Sequence, residues 1–445
     1  MSNPQTLEAL LSGQYKGIKR LKLSANLAAF PLDVLSLFDS LEILDLSNNP
    51  LSSLPNDFSR LHKLKIAFFS DCNFTIFPPQ LAKCRSLEMI AFKNNHMTKI
   101  PEGAFPRKLR WLILTNNEIK EIPASIGHCH RLQKCMLAGN RLTSLPAEMA
   151  HCRKLGLLRL SSNHLTTLPD WLFQMPELSF LSFAGNPCAP APSFADNPIL
   201  DDISWSALSV QHLLGEGASG IISKGTWTAK DGDRDVAIKV FKGELTSDGS
   251  PMDEMNACIT AGQHPNLIDP IGKIHGHPEK KGLVLQLIPP HYTNLGGPPT
   301  LESCTRDSFP PDTVFSAVQC RSILYGIASA AKHIHERGIA HGDLYAHNTL
   351  IDKSGHALLG DFGAATIYGN SSKKEEIEKL EVLAFGHMIE DLLGLVERRI
   401  GEEDVFNEKD GYAIEGLNAL HYRCTSPIVR ERPGFGEIVE VMGDL

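Results

Sequence analysis

The chain has 445 residues, a length that allows about two to four domains. Its formal net charge of -8 gives no support for general nucleic-acid binding, which usually requires a basic surface. There is no run of 18 or more apolar residues and no apolar signal-peptide core, so neither a membrane span nor secretion is expected. The ten cysteines lack paired metal-ligand spacing, which indicates reduced thiols and a cytoplasmic protein.

A self-similar pattern extends over residues 18–190. Segments such as LEILDLSNNPLSSLP and LRWLILTNNEIKEIP share the form L-x-x-L-x-L-x-x-N-x-L-x-x-L-P. The residues at its fourth position recur every 23 positions, with a single step of 22: Leu21, Leu44, Ala67, Ile90, Leu112, Cys135, Leu158 and Leu181. This pattern resembles leucine-rich repeats. The resemblance implies an α/β solenoid of about eight repeats, because a single repeat cannot bury its apolar side alone.

The Asn that follows each short strand is predicted to bond to backbone groups inside the turn. These residues would form a ladder: Asn26, Asn49, Asn95, Asn117, Asn140, Asn163 and Asn186, with Cys72 in place of one rung. Alternate strand residues would face the concave surface. That surface is apolar and includes Phe68, Trp111, Met136 and Phe180. Scattered exposed apolar residues are normal, but this set also fits a docking face for a protein partner or for the chain's own second half.

Three segments are predicted from these patterns. Residues 1–190 would form the repeat domain. Residues 191–202 are rich in Pro and Ala and would form a semi-rigid linker. Residues 203–445 would form a second domain.

The second half contains motifs suited to phosphate chemistry. The stretch LLGEGASGIISKG carries Gly215, Gly217 and Gly220 as G-x-G-x-x-G, with Ile222 two residues further on. The β-branched residues after the glycines favour a strand over the helix of a dinucleotide-binding turn. A glycine turn between strands lets backbone N–H groups approach phosphates. The next strand, VAIKV, places Lys239 about 20 residues after the glycines.

Further motifs follow in order along the chain. The helix predicted for DEMNACITAGQHPNLI offers Glu254 as an ion-pair partner for Lys239. The strand GLVLQLIPP places Leu285 before a hinge. The stretch HGDLYAHN carries an Asp five residues before an Asn, and LLGDFGAAT carries Asp-Phe-Gly. Together, these motifs resemble the eukaryotic-type protein kinase fold, a two-lobed α+β fold, over residues 203–445.

The resemblance implies ATP and Mg²⁺ as cofactors and assigns roles by position. Lys239, held by Glu254, would contact the α- and β-phosphates. Asp343 would accept the proton of the substrate hydroxyl. Asn348 and Asp361 would hold Mg²⁺. The nucleotide would also contact the glycine turn and the strands beside it, through Gly215, Gly217, Gly220, Ile222, Ala237, Lys239 and Leu285.

The catalytic loop departs from the family pattern at two positions. Gly342 replaces the Arg of His-Arg-Asp, which normally reads a phosphate on the activation loop. Tyr345 replaces the Lys that serine/threonine kinases place two residues after the Asp, and tyrosine kinases place an Arg where this chain has His347. Such a loop need not be inactive, because the electrostatic parts of the site contribute separately.

Two other regions also depart from the pattern. Only about 20 residues separate Asp361 from Glu381, which stands where an Asp usually tethers the catalytic loop, so the activation segment is short. No Ala-Pro-Glu is present, and Arg432 would need another acid as its partner. The candidates for that role are Glu375, Glu376 and Glu378. The loop 291–313 is longer than usual, and no role is predicted for it.

All the residues that bear directly on ATP, Mg²⁺ and proton transfer are retained. We therefore predict transfer of the γ-phosphoryl group of ATP to Ser or Thr hydroxyls of proteins, with the repeats as an interaction or autoregulatory module. Two alternatives stay open: a pseudokinase that binds nucleotide without turnover, and a scaffold whose second half only dimerises. A small-molecule acceptor is also open, because the peptide platform is reduced.

Overall fold

The computed structural model describes residues 5–190, 200–217, 219–243, 245–397 and 408–445. The chain divides into two compact units: Met1–Leu178 with Asn186–Cys188, and Ser179–Gly185 with Ala189–Leu445. Residues 191–199 of the predicted linker lie outside the described residues, and its last two, Asp201 and Asp202, begin a strand. The predicted boundaries at 190 and 203 stay a prediction.

The repeats form a sheet of short parallel strands. A helix, α1 (Leu7–Leu11), precedes them, and the Thr6 hydroxyl caps it by accepting the N–H of Ala9 at 3.2 Å. Within the described residues the sheet has eight strands in chain order: β1 (Arg20–Lys22), β2 (Ile43–Asp45), β3 (Ile66–Phe68), β4 (Met89–Ala91), β5 (Trp111–Ile113), β6 (Lys134–Met136), β7 (Leu157–Arg159) and β8 (Phe180–Ser182). The middle residue of every strand is the predicted fourth-position residue, and each is buried. The predicted solenoid is confirmed.

Short 3₁₀ turns return the chain between most strands. They are Leu32–Leu37, Phe58–Arg60, Pro79–Lys83, Ala124–His128, Ala147–His151 and Asp170–Gln174. A proline precedes most of them, and its fixed φ with no N–H to satisfy suits the first position of a turn. Phenylalanines fill the interior, and the rings of Phe69 and Phe92 stack with centroids 5.1 Å apart.

The asparagine ladder forms as predicted except at its first member. The amide group of Asn140 donates to the carbonyls of Leu114 (2.9 Å) and Leu137 (3.0 Å), and its oxygen accepts the N–H of Ile119 at 3.1 Å. Cys72 replaces one rung by donating its Sγ to the Leu46 carbonyl at 3.4 Å. The prediction for Asn26 is wrong: this residue is exposed with a φ of 53°. The rungs bind a carbonyl of the preceding repeat, and Asn26 follows the first strand of the sheet.

The smaller lobe of the second unit is a sheet with one helix. Its elements are β9 (Asp201–Ser204), β10 (Leu208–Glu216), β11 (Gly220–Ala229), β12 (Gly232–Phe241), α2 (Pro251–Ala261), β13 (Pro270–His275) and β14 (Gly282–Gln286). Among the described residues the strand order is β10-β11-β12-β14-β13-β9. Buried β-branched residues such as Val236 and Ile238 form its core. The Ser250 hydroxyl caps α2 by accepting the N–H of Met252 at 3.1 Å, and Pro251 suits the first helical position.

The larger lobe is mainly helical. Its elements are β15 (Thr293–Asn294), α3 (Ala317–Glu336), β16 (Ile339–Ala340), β17 (Thr349–Ile351), β18 (Ala357–Leu359), β19 (Thr366–Ile367), α4 (Lys374–Leu393), α5 (Glu408–Cys424) and α6 (Phe435–Asp444). A capping box of Ser316 and Gln319 starts α3. None of the helices in the described parts of the chain is long and apolar enough to cross a membrane. The two-lobed α+β fold is confirmed.

Candidate active site

The glycine turn joins β10 to β11. The Gly217 N–H donates to the Gly220 carbonyl at 2.9 Å and closes the turn. Gly220 has no room for a side chain, because a Cβ there would lie 2.8 Å from the Val240 carbonyl oxygen. Lys242, which the sequence analysis did not identify, donates its Nζ to the Gly217 carbonyl at 3.0 Å. This bond ties the turn to the end of β12, the strand that carries Lys239.

Lys239 on β12 forms a buried ion pair with Glu254 on α2. Their side chains are 12% and 5% exposed. Burial lowers the Lys239 pKa, but the nearby charges of Glu254 and Asp361 outweigh that effect and raise the pKa above its ordinary value. The ammonium group therefore stays charged, and α2 holds it in place.

The ion pair lines a cavity of about 200 Å³ between the glycine turn and the Asp-Phe-Gly segment. Its lining includes these predicted site residues: Gly217, Gly220, Ile222, Lys239, Glu254, Leu285 and Asp361. Gly215 and Ala237, also predicted to contact nucleotide, are not part of the lining. Ala237 lies inside the sheet, where its strand partners are Lys224 and Leu285. The cavity has both charged groups and apolar side chains such as Ile222 and Leu285. This combination suits a ligand that joins a flat ring to phosphate groups.

Asp343 and Asn348 lie on the loop between β16 and β17. The Asn348 amide group donates to the Asp343 carbonyl (2.9 Å) and to its Oδ2 (2.8 Å). The Asn348 carbonyl accepts the N–H of Gly360 at 3.0 Å. His341 is fully buried, and its Nε2 lies 2.9 Å from the Gly360 carbonyl. These bonds attach the catalytic loop to the segment that carries Asp361.

Asp361 and Asn348 carry oxygen donors of the kind that Mg²⁺ prefers. Asp361 is exposed, has a φ of 55°, and accepts the Gly363 N–H at 3.2 Å. Among the described residues the Asn348 amide protons are directed at Asp343, which leaves the amide oxygen as a ligand. Mg²⁺ needs few protein ligands when phosphates and water supply the others. A cluster of three or more acidic, His or Cys residues is therefore not required, and the described residues contain none.

Glu381 on α4 anchors the start of the catalytic loop. Its carboxylate is 3% exposed and accepts the N–H of Gly342 and, at 3.1 Å, that of His341. It also pairs with Nε2 of His335 at 2.7 Å. Burial raises the Glu381 pKa, but the hydrogen bond and charge of His335, with smaller contributions from His341 and Gly342, lower it below its ordinary value. Glu381 thus occupies the tethering position that the resemblance implied.

The long loop 291–313 supports the catalytic loop through Asp307. This carboxylate accepts the N–H groups of Ala346 (2.7 Å) and His347 (3.3 Å) and lies 2.7 Å from Nδ1 of His347. Burial lowers the His347 pKa, but the bond to Asp307 and the charges of the nearby aspartates raise it above its ordinary value. Asp307 carries no local sequence signal for this contact, because 39 residues separate it from Ala346.

Comparison with known families agrees with this geometry. A family model described as protein tyrosine and serine/threonine kinase matches residues 208–385. Models described as leucine rich repeat match residues 130–187 and 40–61. The chain combines leucine-rich repeats with a protein kinase domain.

Individual relatives match parts of the chain. It is 28% identical to Cyclin-dependent kinase 11.1 of Caenorhabditis elegans over 163 residues, which are 36% of this chain and 21% of the relative. It is 23% identical over 291 residues to a probable LRR receptor-like serine/threonine-protein kinase of Arabidopsis thaliana, with 54% and 46% of the two chains covered. A solved LRR protein of Leptospira interrogans is 27% identical, with 42% of this chain and 47% of that chain covered and a TM-score of 0.38. The chain spans less than half the length of each.

The two unusual positions of the kinase domain's catalytic loop are both buried. Gly342 has a φ of 74°, and a Cβ there would lie 2.5 Å from the Ala364 carbonyl oxygen. Both conditions favour glycine, so this loop conformation cannot accommodate the Arg of His-Arg-Asp. Tyr345 is 3% exposed, and its ring lies 4.9 Å from that of His347. The side chain at this position is therefore part of the packing and not a mobile cation.

Arg432 near the C-terminus is also buried. It donates to the carbonyls of Ser426 at 2.9 Å and Lys379 at 3.1 Å. Glu378, one of the acids considered as its partner, accepts the N–H of Phe435 at 2.6 Å. Arg432 thus joins the end of the chain to α4, and its pairing with an acid stays a prediction.

Proposed function

We propose that the kinase domain transfers the γ-phosphoryl group of ATP to Ser or Thr hydroxyls of protein substrates, with Mg²⁺ as the metal. The observation that carries this proposal is the cavity in which the Lys239–Glu254 pair, the glycine turn and Asp361 come together. These groups lie on separate segments of the chain. A charged lysine held by a buried glutamate supplies the fixed cation that phosphate binding requires.

Each site residue has a defined part in the proposed reaction. Lys239 binds the α- and β-phosphates and cannot swing away while Glu254 holds it. Asp361 and the Asn348 amide oxygen hold Mg²⁺, which when bound offsets the negative charge of the phosphates. Asp343 is half-buried and fixed by Asn348, so its carboxylate can orient a substrate hydroxyl and accept its proton.

The repeats are proposed to bind a protein partner or substrate. Their concave strands carry Phe68, Trp111 and Met136, which are half-buried. Phe180, predicted for the same face, is only 2% exposed, so it offers little surface to a separate partner. The choice of Ser or Thr over Tyr follows the names of similar kinases, and a cytoplasmic location stays a proposal.

The test is incubation of the full chain with γ-labelled ATP and Mg²⁺, with and without a generic protein substrate. We expect label on protein, and phosphoamino-acid analysis should place it on Ser or Thr. Asp361→Asn should abolish transfer. Asp233→Asn is the matched control, because Asp233 is exposed on β12 and lies outside the cavity lining.

Three outcomes would contradict the proposal in whole or in part. If no label is transferred but ATP raises the melting temperature of the unmutated chain, the domain is a nucleotide-binding pseudokinase. If ATP changes neither label nor melting temperature, the domain acts as a scaffold. Label on tyrosine alone would refute the assignment to Ser and Thr and leave the phosphoryl transfer intact.

A further inference from the structure

A segment outside the predicted kinase motifs packs against the catalytic loop. It is Ser179–Gly185, which belongs to the second compact unit. The ring of Phe180 stacks on the ring of Tyr345 with centroids 3.9 Å apart and an interplanar angle of 11°. The two residues are 2% and 3% exposed. The stack is therefore a buried contact with the loop that carries Asp343.

The next residues of the segment contact two further places. A Cβ on Gly342 would lie 3.0 Å from the Leu181 carbonyl oxygen, so the two backbones are in close contact. The Phe183 N–H donates to Oγ1 of Thr366 at 3.0 Å. Thr366 belongs to β19, whose partner strand β16 leads directly into the catalytic loop. The segment thus fixes both the loop and the strand pair at its base.

Tyr345 is the point where this contact can influence the catalytic groups. Its N–H donates to the Asp343 carbonyl at 2.8 Å, and its own carbonyl accepts the N–H of Asn348 at 3.1 Å. A shift of the Tyr345 backbone would therefore move both the proposed proton acceptor and the proposed metal ligand. Side-chain packing that fixes Tyr345 fixes this geometry as well.

We propose that Phe180 is a positioning residue for phosphoryl transfer, which acts by stacking on Tyr345 and thereby holding Asp343 and Asn348 in place. The inference rests on the proposed kinase function. The alternative is that the segment blocks the substrate. Exposure favours positioning: the segment covers Gly342 and Tyr345, whereas Asp343 between them stays half-buried and Asp361 is exposed.

This inference gives one physical reason for both unusual positions of the loop. Gly342 and Tyr345 are the residues at which the catalytic loop departs from the kinase pattern, and both contact the same segment. A side chain at 342 would crowd the Leu181 carbonyl oxygen, 3.0 Å from the place of its Cβ, and a lysine at 345 would lose the ring contact with Phe180. The segment and the altered loop therefore fit one another.

The test compares Phe180→Ala with the unmutated full chain. We expect kcat to fall about three- to tenfold, the range that the loss of one aromatic stack supports, with the KM for ATP unchanged within about twofold. Phe180→Tyr keeps the ring and should restore kcat to within about twofold. The double variant with Tyr345→Ala should lose no more than the larger of the two single losses, because Phe180 acts through Tyr345.

Hydrogen exchange of the peptide that contains residues 341–348 provides a second measurement. Phe180→Ala should speed exchange there while Phe180→Tyr does not. A rise in kcat would show that the segment blocks the site, and multiplying losses in the double variant would show that Phe180 does not act through Tyr345. Either result overturns the inference. If the unmutated chain transfers no label, the proposed kinase function fails. The positioning effect is then judged by hydrogen exchange alone: equal exchange of residues 341–348 in Phe180→Ala and in the unmutated chain would refute it.

Discussion

Two hydrogen-bond networks in this chain satisfy buried backbone groups in different ways. In the repeats, each asparagine rung donates to a carbonyl of the preceding repeat at nearly the same distance in sequence: 25 residues earlier for Asn117 and 26 for Asn140 and Asn163. Around the catalytic loop, the acceptors come from unrelated places: Asp307 lies 39 residues before its partner Ala346, and Glu381 lies 40 residues after His341. Hydrogen bonds that recur with the period of the repeats can be predicted from a single repeat, whereas the hydrogen bonds that hold one loop cannot.

The difference also concerns redundancy. A rung is one of several, and Cys72 shows that a weaker donor is tolerated at one of them. Glu381 bonds two consecutive N–H groups and a buried imidazole with one carboxylate. We therefore expect loss of the Glu381 carboxylate to cost more than loss of a single rung of the ladder.

The largest effect is expected for Glu381→Ala. Removal of this carboxylate leaves two buried N–H groups and His335 without their acceptor, so the free energy of unfolding of the second unit should fall by about 3–5 kcal/mol. Denaturant unfolding measures this, and Glu381→Gln, which keeps one acceptor oxygen, should lose less. An unchanged unfolding midpoint for Glu381→Ala would remove the contrast with the ladder.

The pH dependence of that variant has a defined sign. The Glu381 pKa is lowered on folding from its ordinary value of 4.5, so the stabilisation it provides is present above that pH. The stabilisation is lost as the pH falls through the folded pKa. The difference in free energy of unfolding between Glu381→Ala and the unmutated chain should therefore become smaller at acidic pH.

A smaller effect is expected for Asn140→Ala in the ladder. The Ile119 N–H loses its acceptor, while the Leu114 and Leu137 carbonyls each lose one of two amide donors, because Asn117 and Asn163 still bind them. The total cost is about 2 kcal/mol. Hydrogen exchange of the neighbouring repeat peptides measures the local loss. Asn26→Gly is the control, because Asn26 is exposed with a positive φ that glycine adopts readily. Equal effects of the two changes would show that the rungs do not carry the stability.

The smallest effect is expected for Asp307→Ala. Loss of this acceptor for the Ala346 and His347 amides should lower kcat about tenfold, or about 1.4 kcal/mol, with little change in unfolding. Asp307→Asn keeps an acceptor oxygen and should lose less. Asp312→Asn, an exposed acid in the same loop, should retain full activity. A fall in thermal stability as large as the fall in activity would indicate that Asp307 supports the fold generally.

The sequence predicted what depends on period and on local pattern. Two examples are the buried middle residue of each repeat strand and the Lys239–Glu254 pair, which both follow from spacing within one or two elements. Asp307 could not be predicted, because it reaches the catalytic loop through tertiary packing that no local pattern encodes. Phe180 was predicted for an apolar face that could contact the second half of the chain, but its stacking on Tyr345 was not predicted. The prediction for Asn26 was wrong for a related reason. The sequence around Asn26 matches the repeat pattern, but Asn26 follows the first strand, so there is no preceding repeat whose carbonyl it could bind.

Gly342 limits the routes by which this loop could change. The backbone there is left-handed, and the Ala364 and Leu181 oxygens lie 2.5 and 3.0 Å from the place of a Cβ. An arginine at this position would need the backbone to leave the left-handed region and the Ala364 oxygen to move away. Residue 342 and the path of the loop can therefore change only together.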